Sequence, residues 1–351
     1  MTDQPALALS IVTSMYASAP YIREFHARCT AAAQRLTDAY EIIFVNDGSP
    51  DESLSLALDL HAQDPHVRVI DLSRNFGHHK ALMTGLAHAR GDLVFLIDVD
   101  LEEDPAWLST FHDALRGSAA ESSSVENSGA ESRGVENSGA DVIYGVQDSR
   151  KGGWFERRAG QAFFALFNQM LAHPIPANVV TARLMTRRYV RALVSHEERE
   201  LCLAGLWVIT GFEQRPLTVT KGHRGGSSYS TRARLSAFAN AITSFSNRPL
   251  VYIFQIGAAV MALSVAAGAL LLYQSLSGEI GVPGWASIMV SIWFLGGLII
   301  FCVGVIGMYL AKIFTEIKRR PYTIVRAEYG PDDRAGNPHG NRPDASPLDP
   351  V

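Results

Sequence analysis

Through the first hundred residues short apolar runs alternate with amphipathic stretches, and the alternation predicts seven elements. Leu7–Thr13 (LALSIVT), Glu41–Val45 (EIIFV), Val67–Leu72 (VRVIDL) and Leu93–Asp98 (LVFLID) read as strands; Ala19–Ala39, Asp51–Gln63 and His78–Ala89 read as helices between them. The strand runs are near-continuously apolar, as strands buried on both faces are. Strand and helix in strict alternation predict right-handed crossovers and an α/β fold with a mostly parallel, Rossmann-like sheet.

Farther along the pattern loosens. Asp141–Gly145 (DVIYG) reads as another strand, and Gly153–Ala172 as an amphipathic helix whose aromatic side is either core or, with Lys151, Arg157 and Arg158 beside it, membrane-interfacial. Between Gly117 and Ala140 the polar unit SVENSGAESR is followed by GVENSGAD. Such a repeat cannot bury a core and is expected to be a disordered surface insertion, as is the Pro- and Gly-rich tail 330–351.

Two charge-free apolar runs, Leu250–Tyr273 and Trp285–Ala311, each exceed the roughly 20 residues that span a bilayer. They predict a two-helix transmembrane hairpin over 249–273 and 285–311. Arg248 precedes the first, Lys312, Lys318, Arg319 and Arg320 follow the second, and the loop between carries only Glu279. By the positive-inside rule both long ends are cytoplasmic. Gly296, Gly297, Gly304 and Gly307 offer small faces for helix packing, within the hairpin or between subunits of a homo-oligomer. The expected organisation is a cytoplasmic catalytic domain over 1–230, a juxtamembrane segment 231–248, the hairpin, a basic cytoplasmic segment 312–329 and the tail.

Composition narrows the function. A net charge of -4 over 351 residues carries no nucleic-acid footprint, so no nucleic-acid partner is expected. Cys29, Cys202 and Cys302 are odd in number and widely spaced, which argues against disulfides and a zinc cluster. The N-terminus lacks a basic start before an apolar core, so no secretory signal is expected. Two spans without charge offer a transporter no path.

The chemistry gathers at the ends of the predicted strands. Ser14 and Tyr16 follow the first, Asn46, Asp47 and Gly48 the second, Ser73, Arg74 and Asn75 the third, and Asp98 and Asp100 the fourth. Ligands of parallel sheets bind beyond the carboxyl ends of the strands, and a polar residue at all four ends predicts a nucleotide-type ligand there. A G-x-G-x-x-G turn is missing after the first strand, which argues against a dinucleotide. In an extended D-x-D the two carboxylates share a face, and paired hard oxygens suit Mg2+ or Mn2+ when substrate phosphates complete the shell.

In this order the segments SIVTSMY, IIFVNDGSPD, LSRNFGHHKAL, IDVDLEEDP, VIYGV, IPANVVTARLMTRR and ITSFSNRPL resemble the family 2 glycosyltransferases, in particular the polyprenyl-phosphate glycosyltransferases that include dolichyl-phosphate mannose synthase and the bactoprenol glucosyltransferases. The similarity runs from Leu9 to about Val325, apart from the repeat-bearing insertion. It implies a GT-A domain at the cytoplasmic face of the inner (cell) membrane. That domain would move a sugar from a nucleotide-sugar donor, UDP- or GDP-linked, to polyprenyl (undecaprenyl) phosphate, with Mg2+ or Mn2+ as cofactor. Residue by residue it puts Ser14, Tyr16, Asp47, Arg74, Asn75 and Lys80 at the donor, Asp98 and Asp100 at a diphosphate-bound ion, and Arg183 near the reacting phosphates. The basic loop with Lys221, Arg224, Ser227 and Tyr229 would meet phosphate before the membrane. Departures from the family pattern are Met15, Ala17 and Ser18 around Tyr16, Ser228 in place of a lysine, and Thr181 where an aspartate often stands as base.

The last departure bears on the acceptor. A hydroxyl must lose its proton during attack, whereas a phosphate monoester with a second pKa of about 6 is already ionised at neutral pH. Thr181 therefore suits a lipid phosphate, and a hydroxyl acceptor on a lipid-linked or surface saccharide would need Glu102, Glu103 or Asp104 as base. A non-catalytic nucleotide-sugar-binding membrane scaffold is the remaining alternative, opposed by the retained acid pair.

Overall fold

A computed structural model describes residues 7–126, 139–147, 178–196, 198–199, 201–222, 248–277 and 285–331. The expected helix Gly153–Ala172 and the loop residues Arg224, Ser227 and Tyr229 lie outside them.

The chain divides into two compact units, one of residues 1–158, 175–227 and 321–351 and the other of 159–174 and 228–320. In the first, strands β1 (Leu9–Met15), β2 (Tyr40–Asn46), β3 (Val67–Leu72) and β4 (Leu93–Leu96) alternate with helices α1 (Ile22–Gln34), α2 (Ser53–Gln63) and α3 (His78–His88). All seven elements match the sequence reading within a few residues. Every residue of β1 and β2 is buried, as the apolar runs require.

After β4 come α4 (Trp107–Glu126), β5 (Val142–Gln147), β6 (Val179–Thr186), α5 (Arg187–Val194), α6 (Leu203–Ile209), β7 (Gln214–Val219) and, beyond the apolar helices, β8 (Val325–Tyr329). Helix α4 runs ten residues into the region expected to be a disordered insertion. Its Ser118 hydroxyl accepts the Ala140 N–H at 3.0 Å, fastening the far side of the repeat to the helix.

The sheet order is β7-β5-β6-β4-β1-β2-β3-β8. Strands β1 to β4 pair in parallel, and so do β5 and β7, but β6 runs antiparallel to both β4 and β5, and β8 antiparallel to β3. The sheet is therefore mixed rather than mostly parallel. Its parallel centre keeps the carboxyl ends of β1, β2, β3 and β4 on one rim.

Close packing fixes that centre. A Cβ on Gly85 of α3 would lie 2.5 Å from Val12 Cγ1 and 2.9 Å from Val45 Cγ2, so only glycine lets the helix lie this near the sheet. On the other face Phe25 of α1 meets Phe44 edge-on, ring centroids 5.8 Å apart, and Phe111 of α4 meets Phe95 at 6.0 Å. The buried Glu41 carboxylate, bound by Ser10, Arg68 and Arg90, lies toward the amino ends of the strands, away from the rim.

The segment expected only as a basic stretch after the membrane supplies β8. Arg326 reaches Asp71 at 3.2 Å, Glu328 reaches His88 at 2.9 Å, and Thr323 bonds Thr84 at 2.8 Å. Its first residue, Val325, pairs with Leu72 at the rim end of β3.

In the second unit α7 (Arg248–Leu276) and α8 (Trp285–Ile317) cover both expected spans. Among the described residues one stretch, Phe294–Ile317, is long and apolar enough to cross a membrane, with a shorter apolar helix at Leu250–Val260. Ile299, Ile300, Phe301 and Leu310 are exposed. A Cβ at Gly296, Gly297, Gly304 or Gly307 would meet nothing within 4 Å among the described residues of this chain.

Candidate active site

Strand β4 ends at Leu96, and the D-x-D segment is not extended as expected but enters a turn at Val99 and Asp100, with Val99 buried and Asp98 and Asp100 partly open. Across from them runs β6, in a register that pairs Leu93 with Thr186 and Leu96 with Arg183. Continuing that register by two residues puts Thr181 opposite Asp98. Its hydroxyl donates to Asp98 Oδ2 at 2.8 Å.

The other Asp98 oxygen is orphaned. Oδ1 is buried with no well-directed donor; His78 Nε2 stands 3.3 Å away, at ion-pair distance. Burial alone would raise the Asp98 carboxyl, but His78, Thr181 and Lys221 together hold it below its ordinary value. His78 moves the opposite way: burial lowers it and Asp98 more than compensates, so the imidazole sits above its usual range. Its other nitrogen, Nδ1, is 2.9 Å from Ser14 Oγ, which links the ends of β1 and β4 through one ring.

Asp100 turns the chain. Its Oδ1 accepts the Glu102 N–H at 3.0 Å across Leu101, whose φ is 61°. Burial and the negative charges of Asp98 and Glu102 push the Asp100 carboxyl up, as expected of acids crowded at one point. Glu103 follows, 0% exposed. Its Oε1 accepts the Thr181 N–H at 3.0 Å while Oε2 has no partner. Burial first, then the Asp98 charge, raise this carboxyl to about 7.

Lys221, just past β7, faces the same turn, its Nζ 3.2 Å from Glu102 Oε2 and 3.7 Å from Glu103 Oε1. Thus Lys221 binds carboxylates here, and no phosphate contact is needed to explain its place.

The remaining expected donor contacts fall in two groups. Tyr16, 53% exposed, follows β1 beside Ala17, whose φ is 51°, and is free to present its ring to a ligand. Arg74 and Asn75 are exposed at the end of β3, with the Arg74 guanidinium 4.0 Å from the Phe76 ring centre, and Lys80 is half-buried in the first turn of α3. Asp47 is turned inward: its two oxygens accept the Phe76 and Gly77 N–H groups at 2.7 and 3.0 Å. Burial still leaves this carboxyl above its ordinary value. Gly48 beside it has φ 62°, and a Cβ there would strike Arg74 C and Asn75 N at 2.5 Å, so the turns after β2 and β3 lock together.

Arg183 is the residue whose surroundings differ most from expectation. It is 1% exposed, with its guanidinium 2.9 Å from the Trp207 ring centre and its Nε on the Thr181 carbonyl at 3.3 Å. Burial pulls its pKa down to about 9. The side chain supports β6 from behind and reaches no open part of the rim.

Do these residues fit a divalent ion? An orphaned buried carboxylate oxygen and a second half-open carboxylate form a hard-oxygen donor set of the kind Mg2+ and Mn2+ prefer. Among the described residues no three His, Cys, Asp or Glu side chains form a closed metal cage.

Residues 10–123 match the family model for glycosyl transferase family 2. A Mycobacterium tuberculosis (strain CDC 1551) glycosyltransferase is 48% identical over 326 residues, covering 93% of this chain and 90% of the relative. The chain belongs to the family 2 glycosyltransferases. The bactoprenol glucosyl transferase of Shigella phage SfII is 31% identical over 301 residues, 85% of this chain and 89% of that one. Among solved structures, the mannosyltransferase PcManGT from Pyrobaculum calidifontis, in complex with GDP-Man and Mn2+, is similar at 15% identity over 91% of this chain and 88% of that one, with a TM-score of 0.45.

In this family 2 glycosyltransferase the sequence reading passed over His78 and the positioning role of Thr181. The signal for His78 was present: it opens a helix immediately after a strand-end turn in the segment NFGHHK. Thr181 had no such signal, because its partner is set by an antiparallel register that alternating strands and helices do not announce.

Proposed function

We propose that the protein is a membrane-bound, metal-dependent glycosyltransferase that moves a sugar from a nucleotide-sugar donor to polyprenyl phosphate at the cytoplasmic face of the inner membrane, with α7 and α8 as a two-span anchor. The observation that carries the acceptor is the Thr181–Asp98 bond. Where a hydroxyl acceptor would need a base, this chain has a hydroxyl committed to holding Asp98. Glu103, a raised carboxyl, is 0% exposed and spends one oxygen on the Thr181 N–H. An ionised phosphate needs no base, and bactoprenol glucosyl transferases among the relatives support that acceptor.

Asp98 and Asp100 would hold the ion, and when bound it supplies Lewis acidity that offsets charge growing on the departing nucleoside diphosphate. The chain's own residues do the rest. Thr181 and Glu103 fix the Asp98 rotamer, His78 and Lys221 keep Asp98 ionised, and Tyr16 and Arg74 offer an aromatic face and a cation for the nucleotide. The sugar's anomeric carbon is then displaced from diphosphate oxygen by an oxygen of the lipid phosphate, making a sugar phosphodiester.

The test is a donor screen. Purified protein with Mn2+ or Mg2+, undecaprenyl phosphate and each common UDP- and GDP-sugar is expected to yield one acid-labile glycosyl lipid, detected by mass. Folded protein that makes no lipid product with any donor, or makes an acid-resistant glycoside on a saccharide, would overturn the proposal.

A further inference from the structure

Lys221 is tied to the acid turn by more than its charge. The next residue, Gly222, donates its N–H to the Glu102 carbonyl at 2.7 Å, and a Cβ at Gly222 would sit 3.3 Å from that same oxygen. The chain leaving β7 is thereby stitched to the segment Asp98–Glu103. Four carboxyl groups crowd that segment. Against them stand the Lys221 ammonium, 3.2 Å from Glu102 and 3.7 Å from Glu103, and His78, 3.3 Å from Asp98 on the other side.

We infer that Lys221 is an internal counter-cation of the acid turn, which leaves its carboxylates when a divalent ion binds there. The inference rests on the reading that Asp98 and Asp100 hold that ion. An ammonium and a divalent ion drawn to one cluster of acids repel each other, so the lysine must weaken ion binding while it stays. A lysine suits such an exchange better than an arginine, because its compact charge rides on four flexible methylenes and makes no fixed bidentate fork. The consequence is an enzyme whose acid turn stays ordered without an ion. Its ion affinity is set below what the carboxylates alone would give.

The test uses the full chain in detergent, without nucleotide, titrated with Mn2+ and read by electron paramagnetic resonance. Lys221→Met is expected to bind Mn2+ about tenfold tighter than wild type, the scale of one unit charge removed a few ångströms away in a half-exposed site. Lys221→Arg keeps the charge and grips carboxylates with a fixed fork, so it should bind Mn2+ no tighter than wild type, and Asp98→Asn should abolish binding. A lysine with a merely structural role would loosen the site when removed, never tighten it. The same exchange is readable without any variant: saturating Mg2+ should raise acylation of Lys221 several-fold, measured by peptide mass.

Unchanged or weaker Mn2+ binding in a folded Lys221→Met protein, or Lys221 acylation indifferent to Mg2+, overturns the inference and leaves the metal reading intact. Wild-type protein with no Mn2+ binding sensitive to Asp98→Asn removes both.

Discussion

Thr181 Oγ lies 2.8 Å from Asp98 Oδ2, and its backbone N–H lies 3.0 Å from Glu103 Oε1, so one residue of β6 orients two acids of the neighbouring turn. A hydroxyl in this position does the work of a hinge pin: with Oδ2 held by Thr181, Oδ1 is turned toward His78 Nε2, 3.3 Å away, and a cation that took this oxygen would compete with the imidazole. Outer-shell partners of this kind typically change metal affinity by about 10–100-fold when removed. Thr181→Val, which keeps the β-branched shape for the strand, should therefore weaken Mn2+ binding and lower kcat/KM within that range. Thr181→Ser should restore most of both. Near wild-type values in Thr181→Val with a loss in Thr181→Ser would show that shape, not the hydroxyl, is what matters.

The acid pair itself should be less forgiving. Asp98→Asn and Asp100→Asn each remove a ligand whose charge the departing diphosphate depends on, and turnover should fall about a hundredfold or more. Chelation of the ion with EDTA should stop wild-type turnover, and Mn2+ or Mg2+ should restore it. Circular dichroism and thermal melts separate this from misfolding. Asp98→Asn is expected to keep the Thr181 contact through its amide oxygen, so it should melt close to wild type.

Glu103 makes the protein's stability depend on pH in a direction that can be worked out. Its carboxyl titrates at about 7 when folded against an ordinary 4.5, so between those values the folded chain holds a proton that the unfolded chain has released. The contribution is fully present below about 4.5 and is lost as pH rises through about 7, with an upper bound of about 3 kcal/mol. Glu103→Gln cannot ionise. Its melting temperature relative to wild type should climb from pH 5 to about pH 7 and level off above that, and a constant difference across pH 5 to 8 would mean the buried carboxyl is not protonated.

How much of this was legible in the sequence depends on what kind of information each element carries. Strands β1 to β4 and helices α1 to α3 announce themselves, because a strand covered on both faces must be apolar throughout and a surface helix must not be. Four polar strand ends then mark the rim, and Asp98, Asp100, Ser14 and Tyr16 are found by position alone. Strand β6 is different. It contains Arg183, which the family resemblance sets near the reacting phosphates; only the three-dimensional packing shows it buried against Trp207. Asp47 is a related case, since nothing in the sequence announces that a strand-end carboxylate ties down two backbone N–H groups, as this one does. Strand β8 (VRAEY) is an edge strand with two charges in five residues, which is how edge strands are written and also how a polar tail is written.

That edge strand yields the last prediction. Without β8 the backbone of β3 would be left open along one side, Asp71 would lose Arg326, and His88 would lose Glu328. Deleting 321–351 should therefore lower the melting temperature of the sheet-bearing unit by about 5–10 °C, the shift expected for about 2–3 kcal/mol in a unit of this size. It should also promote self-association, because an unpaired edge recruits other strands. Deleting only 332–351 leaves β8 in place and is expected to change neither property. Differential scanning fluorimetry and light scattering on the two truncations distinguish the outcomes: if both melt like the full chain, β8 contributes nothing to the sheet, and if both fall equally below it, the stabilising contact lies in the tail instead.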